Sequence, residues 1–257
     1  LDKPGRNQDS SFGGVRSVLL AALVAIAFRS TAVQAFSIPS GSATPTMLTG
    51  DTVLVSKFAY GYSRYSLPFA PGFLHGRLFG RDPKRGDYAV FANPVDGVVT
   101  IKRIVGLPGD RIQVTGGIVS INGQVARRVP AGSFVERDWD EAAGQEVAIR
   151  RYRYVETLPS GVVHDILGSP VTEPEDAGPA DNTGVYLVPA GHYFGMGDSR
   201  DNSADSRFLD QLGYIPAENL IGRAEFRLVC MTPGAHLWQV WTWSTTMRLG
   251  RFFGAII

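Results

Sequence analysis

The chain has 257 residues, enough for one large domain or two smaller ones. Its 44% hydrophobic and 19% charged content is that of a folded protein, and a net charge of +1 gives no electrostatic case for nucleic acid as a partner. The single cysteine, Cys230, excludes an internal disulfide framework and a cysteine cluster for zinc.

His75, His164, His192 and His236 are far apart, show no metal-ligand spacing and read as surface or loop histidines, so no metal and no cofactor is expected. The 30 glycines and 16 prolines imply many turns, which favours β structure over a helical bundle.

Residues 1–16 are polar, with Lys3, Arg6 and Arg16 against Asp2 and Asp9. Ser17 to Phe28 is almost wholly apolar but shorter than the ~20 residues that span a bilayer. Continuing to Phe36 reaches that length and takes in Arg29, which can snorkel toward head groups. The expectation is a cytoplasmic segment at 1–16 and one transmembrane helix at 17–36. A cleavable signal ending at Val33-Gln34-Ala35 is a competing reading, weakened by Arg29, and a buried helix of a soluble domain is a third. The first two place the rest of the chain outside the cytoplasm.

Phe36 to Thr46 follows directly. Ser40 and Ser42 flank Gly41, and Pro39 and Pro45 fence them. The prolines bias their predecessors toward extended backbone, and Gly41 permits close approach of another backbone. The segment is either a stiff ledge displaying hydroxyls or a plain Ser/Pro/Gly linker.

Thr52 to Lys57 reads as a strand, and Tyr60 to Arg81 as an irregular excursion with an exposed apolar tip. Pro83 to Asp87 is a turn and Tyr88 to Phe91 a buried strand. In the β run Val98 to Val105, a period of two puts Val98, Thr100, Lys102 and Ile104 on one face. A lysine between Val98 and Ile104 either points outward from a sheet edge or is partly desolvated. Gly116-Gly117 and Asn122-Gly123 mark two hairpin turns.

From Pro130 to Thr183 charges, Pro and Gly dominate, and β-like pieces such as Val147 to Tyr154 stand isolated. This stretch reads as an insertion or a looser β subdomain, with no residue marked for chemistry. Gly197 to Arg207 is dense in Asp, Asn, Ser and Arg and reads by itself as a solvated loop. Leu220 to Val229 alternates as a strand. The tail carries Trp238, Trp241, Trp243, Phe252 and Phe253 among Arg248 and Arg251, and belongs either to the core or to a membrane interface.

A nucleophilic Ser42 needs a base. No histidine is marked for the task, and there is no Gly-x-Ser-x-Gly elbow. Lys102 remains. Near its usual pKa of ~10.4 a lysine is protonated, but apolar burial disfavours the ammonium; reaching about 8 corresponds to roughly 3 kcal/mol. Ser203 could hold the amine, Ser40 could help to stabilise an oxyanion, and Asp205 with Arg207 could fix the loop. Spacing alone does not establish this assembly.

Four separated blocks resemble bacterial type I signal peptidase, the leader peptidase of the serine/lysine dyad class. They are Ile38-Pro39-Ser40-Gly41-Ser42 with Pro45-Thr46; Pro83-Lys84-Arg85-Gly86-Asp87 with Val90-Phe91; Ile101 to Asp110; and Gly197 to Arg207. The order of the blocks and the preceding apolar segment match as well. The resemblance implies a mostly β fold: an antiparallel catalytic domain at 37–110 and 189–257, a smaller β domain inserted at 111–188, and one N-terminal transmembrane helix.

It further implies Ser42 as nucleophile, Lys102 as general base, Ser40 as oxyanion donor and Ser203 as the group orienting Lys102, with Asp205 and Arg207 structural near the site. Ile38, Pro39, Ala43, Met47, Thr100 and Ile101 would line the −1 pocket. Phe36, Ile38, Val53, Val90 and Ile101 would line the −3 pocket. Ala43 stands where the family often has Met, and Ser199 where Asn is common.

The implied activity is removal of signal peptides from exported preproteins after small residues at −3 and −1. The implied place is the outer face of the bacterial plasma membrane, in contact with lipid and near the export machinery, with the amino terminus cytoplasmic. Specialised peptidases of the same dyad class are a near alternative. A self-cleaving Ser/Lys regulator would need a DNA-binding helix-turn-helix where the apolar segment stands. A non-catalytic membrane-anchored β module is opposed by the presence of both Ser42 and Lys102.

Overall fold

The computed structural model describes residues 14–21, 32–67, 70, 72–73, 75–140, 145–170, 176–232, 234–235 and 238–256. Of the expected anchor, residues 17–21 are helical, 22–31 lie outside the described residues, and 33–36 belong to a strand. Of the expected cytoplasmic segment, residues 1–13 lie outside the described residues. No helix among the described residues is long and apolar enough to cross a membrane.

In chain order the strands are β1 (Val33–Ser37), β2 (Asp51–Ser56), β3 (Tyr88–Ala92), β4 (Val99–Gly106), β5 (Arg111–Thr115), β6 (Ile118–Ile121), β7 (Gln124–Val125), β8 (Arg127–Asp140), β9 (Gln145–Thr157), β10 (Val163–Leu167), β11 (Tyr186–Leu187), β12 (His192–Met196), β13 (Ile215–Pro216) and β14 (Leu220–Cys230). They form a seven-stranded sheet in the order β1-β2-β14-β3-β4-β12-β13, a four-stranded sheet β11-β5-β6-β7 and a three-stranded sheet β10-β9-β8. The pairings within the large sheet are antiparallel.

The large sheet is apolar on both faces at its centre. β3 is buried at every position, with Tyr88 and Val90 in one cluster and Ala89 and Phe91 in another. β4 lies between β3 and β12, so the edge reading of Lys102 is excluded.

Gly116 and Gly117 take positive φ of 56° and 73° between Thr115 and Ile118, and Asn122 and Gly123 take 55° and 80° between Ile121 and Gln124. Two-residue turns with positive φ at both positions match the twist of the flanking strands. Residues 111–188 hold both smaller sheets.

Two expectations for this region are corrected. Val147 to Tyr154 is not isolated: it lies within the 13-residue β9, paired with the 14-residue β8. His164 is not at the surface: it is buried on β10, with Nε2 3.2 Å from the Glu156 carboxylate. A short polar strand shows no clear period when its burial is set by a partner strand and a neighbouring loop.

The excursion after β2 exposes Phe73 and Phe79. In the tail, Trp238, Trp241 and Phe253 are also exposed rather than core. Arg248 and Arg251 tie the tail to the start of β2 through ion pairs of 3.3 and 3.0 Å with buried Asp51.

Candidate active site

The ledge between β1 and β2 is held at both ends. Ile38 N donates to Asp51 O at 2.8 Å and Gly50 N to Ile38 O at 2.9 Å. Between them Gly41–Ala43 makes one 3-10 turn. Ser42 is buried there, its Oγ 3.4 Å from Ser40 Oγ in a shared hydrogen bond. The Ser42 carbonyl accepts from Ser199 N at 3.1 Å, which fastens the ledge to the distant polar loop. Gly41 lies close under β8: a Cβ there would meet Glu136 Oε1, the end of a side chain that would have to swing aside.

Lys102 sits on β4 opposite Ala89 and is only 4% exposed. Its Nζ donates to Ser203 Oγ at 3.0 Å. Burial pushes the amine down to about 8; Asp205 opposes this and Arg207 adds to it. A lysine so placed is neutral in about a tenth of molecules at ~pH 7 and in half at about 8, far more than an exposed lysine.

The polar loop 197–207 is largely withdrawn from water, with Asp201, Asn202 and Ala204 exposed at its tip. Asp198, Ser199, Arg200, Ser203, Asp205, Ser206 and Arg207 are all buried. Asp205 accepts from Gly197 N at 3.0 Å and from Arg207 Nε and Nη2 at 2.8 and 2.9 Å. Burial alone would raise the Asp205 carboxyl, but the Arg207 guanidinium and these hydrogen bonds hold it below the usual range. Gly197 passes so close to the site that a Cβ would lie 2.5 Å from Ser203 Cβ and 2.7 Å from Ser42 O.

Several partners carry no local sequence signal. Asp198 accepts from Arg103 Nε at 2.9 Å and Nη2 at 3.0 Å, from Thr46 Oγ1 at 3.0 Å and from Tyr88 Oη. One carboxylate thus joins the ledge, β3, β4 and the loop. The Arg103 guanidinium also lies 4.2 Å over the Tyr88 ring. The insertion braces the loop as well, without placing a side chain of its own at Ser42 or Lys102 in the cleft. Leu167 N donates to Asp198 O and Arg200 N to Leu167 O, and the Arg200 side chain pairs with Glu156.

A cleft of about 190 Å³ runs past the two candidate reactive groups. Ser40, Ser42 and Lys102 line it, and so do the expected Phe36, Ile38, Pro39, Val53, Val90, Thr100 and Ile101. Ala43 and Met47 are not among its lining; they are 1% and 0% exposed in the apolar cluster that also holds Ile38, Val53 and Val90. Ser203 hydrogen-bonds to Lys102, and Asp205 with Arg207 act on its charge from the same loop. The arrangement presents a hydroxyl and a depressed amine at the end of an apolar cleft, which suits acyl transfer from a substrate with apolar residues before the reacting carbonyl.

The family model described as signal peptidase, peptidase S26, matches residues 12–229. A signal peptidase I of Rickettsia typhi (strain ATCC VR-144 / Wilmington) is 39% identical over 208 residues, which are 79% of this chain and 74% of that protein. One of Rickettsia prowazekii (strain Madrid E) is 38% identical over 220 residues, 84% of this chain and 78% of that protein. The crystal structure of a signal peptidase I from Enterococcus faecalis V583 is 24% identical, covering 56% of this chain and 97% of that one, with a TM-score of 0.30, too loose a superposition to bear on the site. Because the family match takes in ledge, sheet, insertion and loop together, the chain belongs to the signal peptidase family, peptidase S26, and is a serine peptidase that removes signal peptides.

Proposed function

We propose that Ser42 is the nucleophile and Lys102 its general base. The observation that carries this reading is the state of Lys102: buried, lowered to about 8, hydrogen-bonded to the Ser203 hydroxyl, and lining the same cleft as Ser42. A neutral amine takes the Ser42 proton as Oγ attacks the carbonyl at the cleavage point. Ser40 Oγ and the Ser42 amide donate to the oxyanion. When the tetrahedral intermediate collapses, the Lys102 ammonium returns the proton to the departing amine. Lys102 then activates water to release the acyl group from Ser42. Ser203 orients the amine throughout, and Asp205 with Arg207 hold the loop that carries it.

Cleavage falls after small residues at −3 and −1, a reading supported by the apolar cleft of about 190 Å³ walled by Val53, Val90 and Ile101. Ala43 and Met47 act from beneath that wall. The substrates are exported preproteins, met near the export machinery. The apolar segment ahead of β1 anchors the enzyme, amino terminus inside, with the catalytic sheet on the outer face of the bacterial plasma membrane and in contact with lipid. This reading is supported by the apolar sequence before β1 and by the exposed Phe73, Phe79, Trp238 and Trp241.

The test compares wild type, Ser42→Ala and Lys102→Ala on a full-length preprotein in detergent. Both variants are expected to lose cleavage while keeping the fold. Retained cleavage in either overturns the dyad. Mature protein beginning at Phe36 would overturn the anchor.

A further inference from the structure

A second groove opens from the same two reactive groups. It holds about 560 Å³ and shares Ser40, Ser42, Thr100 and Lys102 with the apolar cleft. Its walls differ in kind. One is the turn after β3, carrying Asn93 and Asp96; the other is the stretch from Asn202 to Gln211, carrying Asp210. The walls are tied together: Asn93 Nδ2 donates to Gln211 O at 3.1 Å. Asp96 is fixed on its turn, accepting from Val98 N at 2.9 Å. Among the described residues lining this groove, Lys102 is the one cation, and Asp96 and Asp210 are exposed carboxylates.

An extended substrate has its small apolar residues, which precede the scissile bond, in the first cleft. The chain after that bond must leave on the other side of Ser42, where this groove begins. We propose that the groove receives the first residues of the mature chain and that Asp96 and Asp210 make it selective for basic over acidic side chains there. The inference rests on the dyad reading, which sets where the scissile bond lies. No new chemical step is involved; the selectivity is electrostatic and acts on the leaving half of the substrate. Exposed ion pairs of this sort are weak and salt-sensitive, so the expected preference is about two- to fivefold, fading at high salt.

The test uses peptides identical up to the cleavage point, carrying either Lys or Glu at the second and third positions after it. The ratio of kcat/KM for Lys over Glu peptides is measured at low salt and at ~1 M salt, where the Debye length is ~3 Å. Wild type should prefer Lys at low salt and lose the preference at high salt, and the Asp96→Asn/Asp210→Asn variant should bring the low-salt ratio close to one. A ratio near one in wild type, or an unchanged ratio in the variant, overturns the groove. Because each ratio is taken within one enzyme, a general loss of activity cancels. Ser42→Ala, run in parallel, separates the two readings: retained cleavage sinks the dyad, whereas an inactive Ser42→Ala beside a charge-blind wild type sinks the groove alone.

Discussion

Glu156 and Arg200 form a buried ion pair between the inserted β9 and the loop that carries Ser203. Arg200 Nη1 donates to Glu156 Oε1 at 3.0 Å, and Nη2 donates to Oε2. Neither side chain is more than 4% exposed. The pair locks the insertion to the loop at the point where the loop turns back toward Lys102.

Breaking one side of a buried pair strands the other charge. Glu156→Gln should cost about 3 kcal/mol in urea unfolding and lower kcat, because Arg200 would lose its anchor. A Glu156→Leu/Arg200→Met double variant should recover more stability than either single change. Burial opposes the Glu156 charge, yet Arg200 and His164 hold its pKa down to about 2. The sign follows from that direction: the stabilisation is complete above the unfolded value near 4.5 and is lost as pH falls toward about 2. Glu156→Gln should therefore flatten that part of the acid-unfolding curve; an unchanged curve would count against the pair.

Gly197→Ala tests the tightness of packing between Ser42 and Ser203. The added methyl would meet Ser203 Cβ at 2.5 Å and Ser42 O at 2.7 Å. It must shift the Ser203 hydroxyl from Lys102 or the ledge from the loop. A displacement near 1 Å costs on the order of 10²-fold in rate, so kcat should fall by about that much while circular dichroism keeps its β signature. Activity within a few-fold of wild type would mean that the loop accommodates the methyl and that this contact does not set the geometry.

The pH dependence follows from Lys102. As the proposed base it must be neutral, so activity should rise with pH and level off above about 8. A flat profile from ~pH 6 to 9 with chemistry rate-limiting would contradict a lysine base. The same burial acts on stability. A lysine lowered in the fold binds fewer protons than in the unfolded chain between about 8 and 10.5, so its burial cost is full below about 8 and relieved as pH rises toward 10.5. Lys102→Met should accordingly be more stable than wild type near pH 7, by at most roughly 3 kcal/mol, with the gap closing as pH rises.

Ile101→Ala probes the cleft wall. Ile101 lines the cleft beside Val90 and packs against the cluster below. Shortening it enlarges the pocket, so substrates with Val or Leu at −3 should be cut relatively faster than in wild type, read as a ratio of kcat/KM values. The lost packing should lower stability by about 2 kcal/mol. An unaltered ratio would remove Ile101 from the specificity wall.

Local patterning made much of this chain legible. The ledge was marked by Ser40, Gly41 and Ser42 between prolines, and the hairpins by Gly116-Gly117 and Asn122-Gly123, because turn chemistry is set by each residue's own backbone preferences. Lys102 stood out because a charge interrupts an apolar run on β4. These are short-range properties; they pointed to a mostly β chain and made Ser42 and Lys102 candidates, while the pairing of the two came from the resemblance of four separated blocks to a family.

Burial and partnership were decided only by the tertiary structure. Lys102 reads the same on an edge strand as on β4, and the choice depends on β4 lying inside the sheet between β3 and β12. The loop 197–207 looks solvated because polarity does not reveal whether the partner is water or protein. Its partners are remote: Arg103 lies 95 residues from Asp198, and Glu156 lies 44 from Arg200. Val147 to Tyr154 and His164 were misread for the same reason. An ion pair or strand pairing between distant segments leaves no periodic trace along the chain, because its energy arises only when folding brings both partners out of water together.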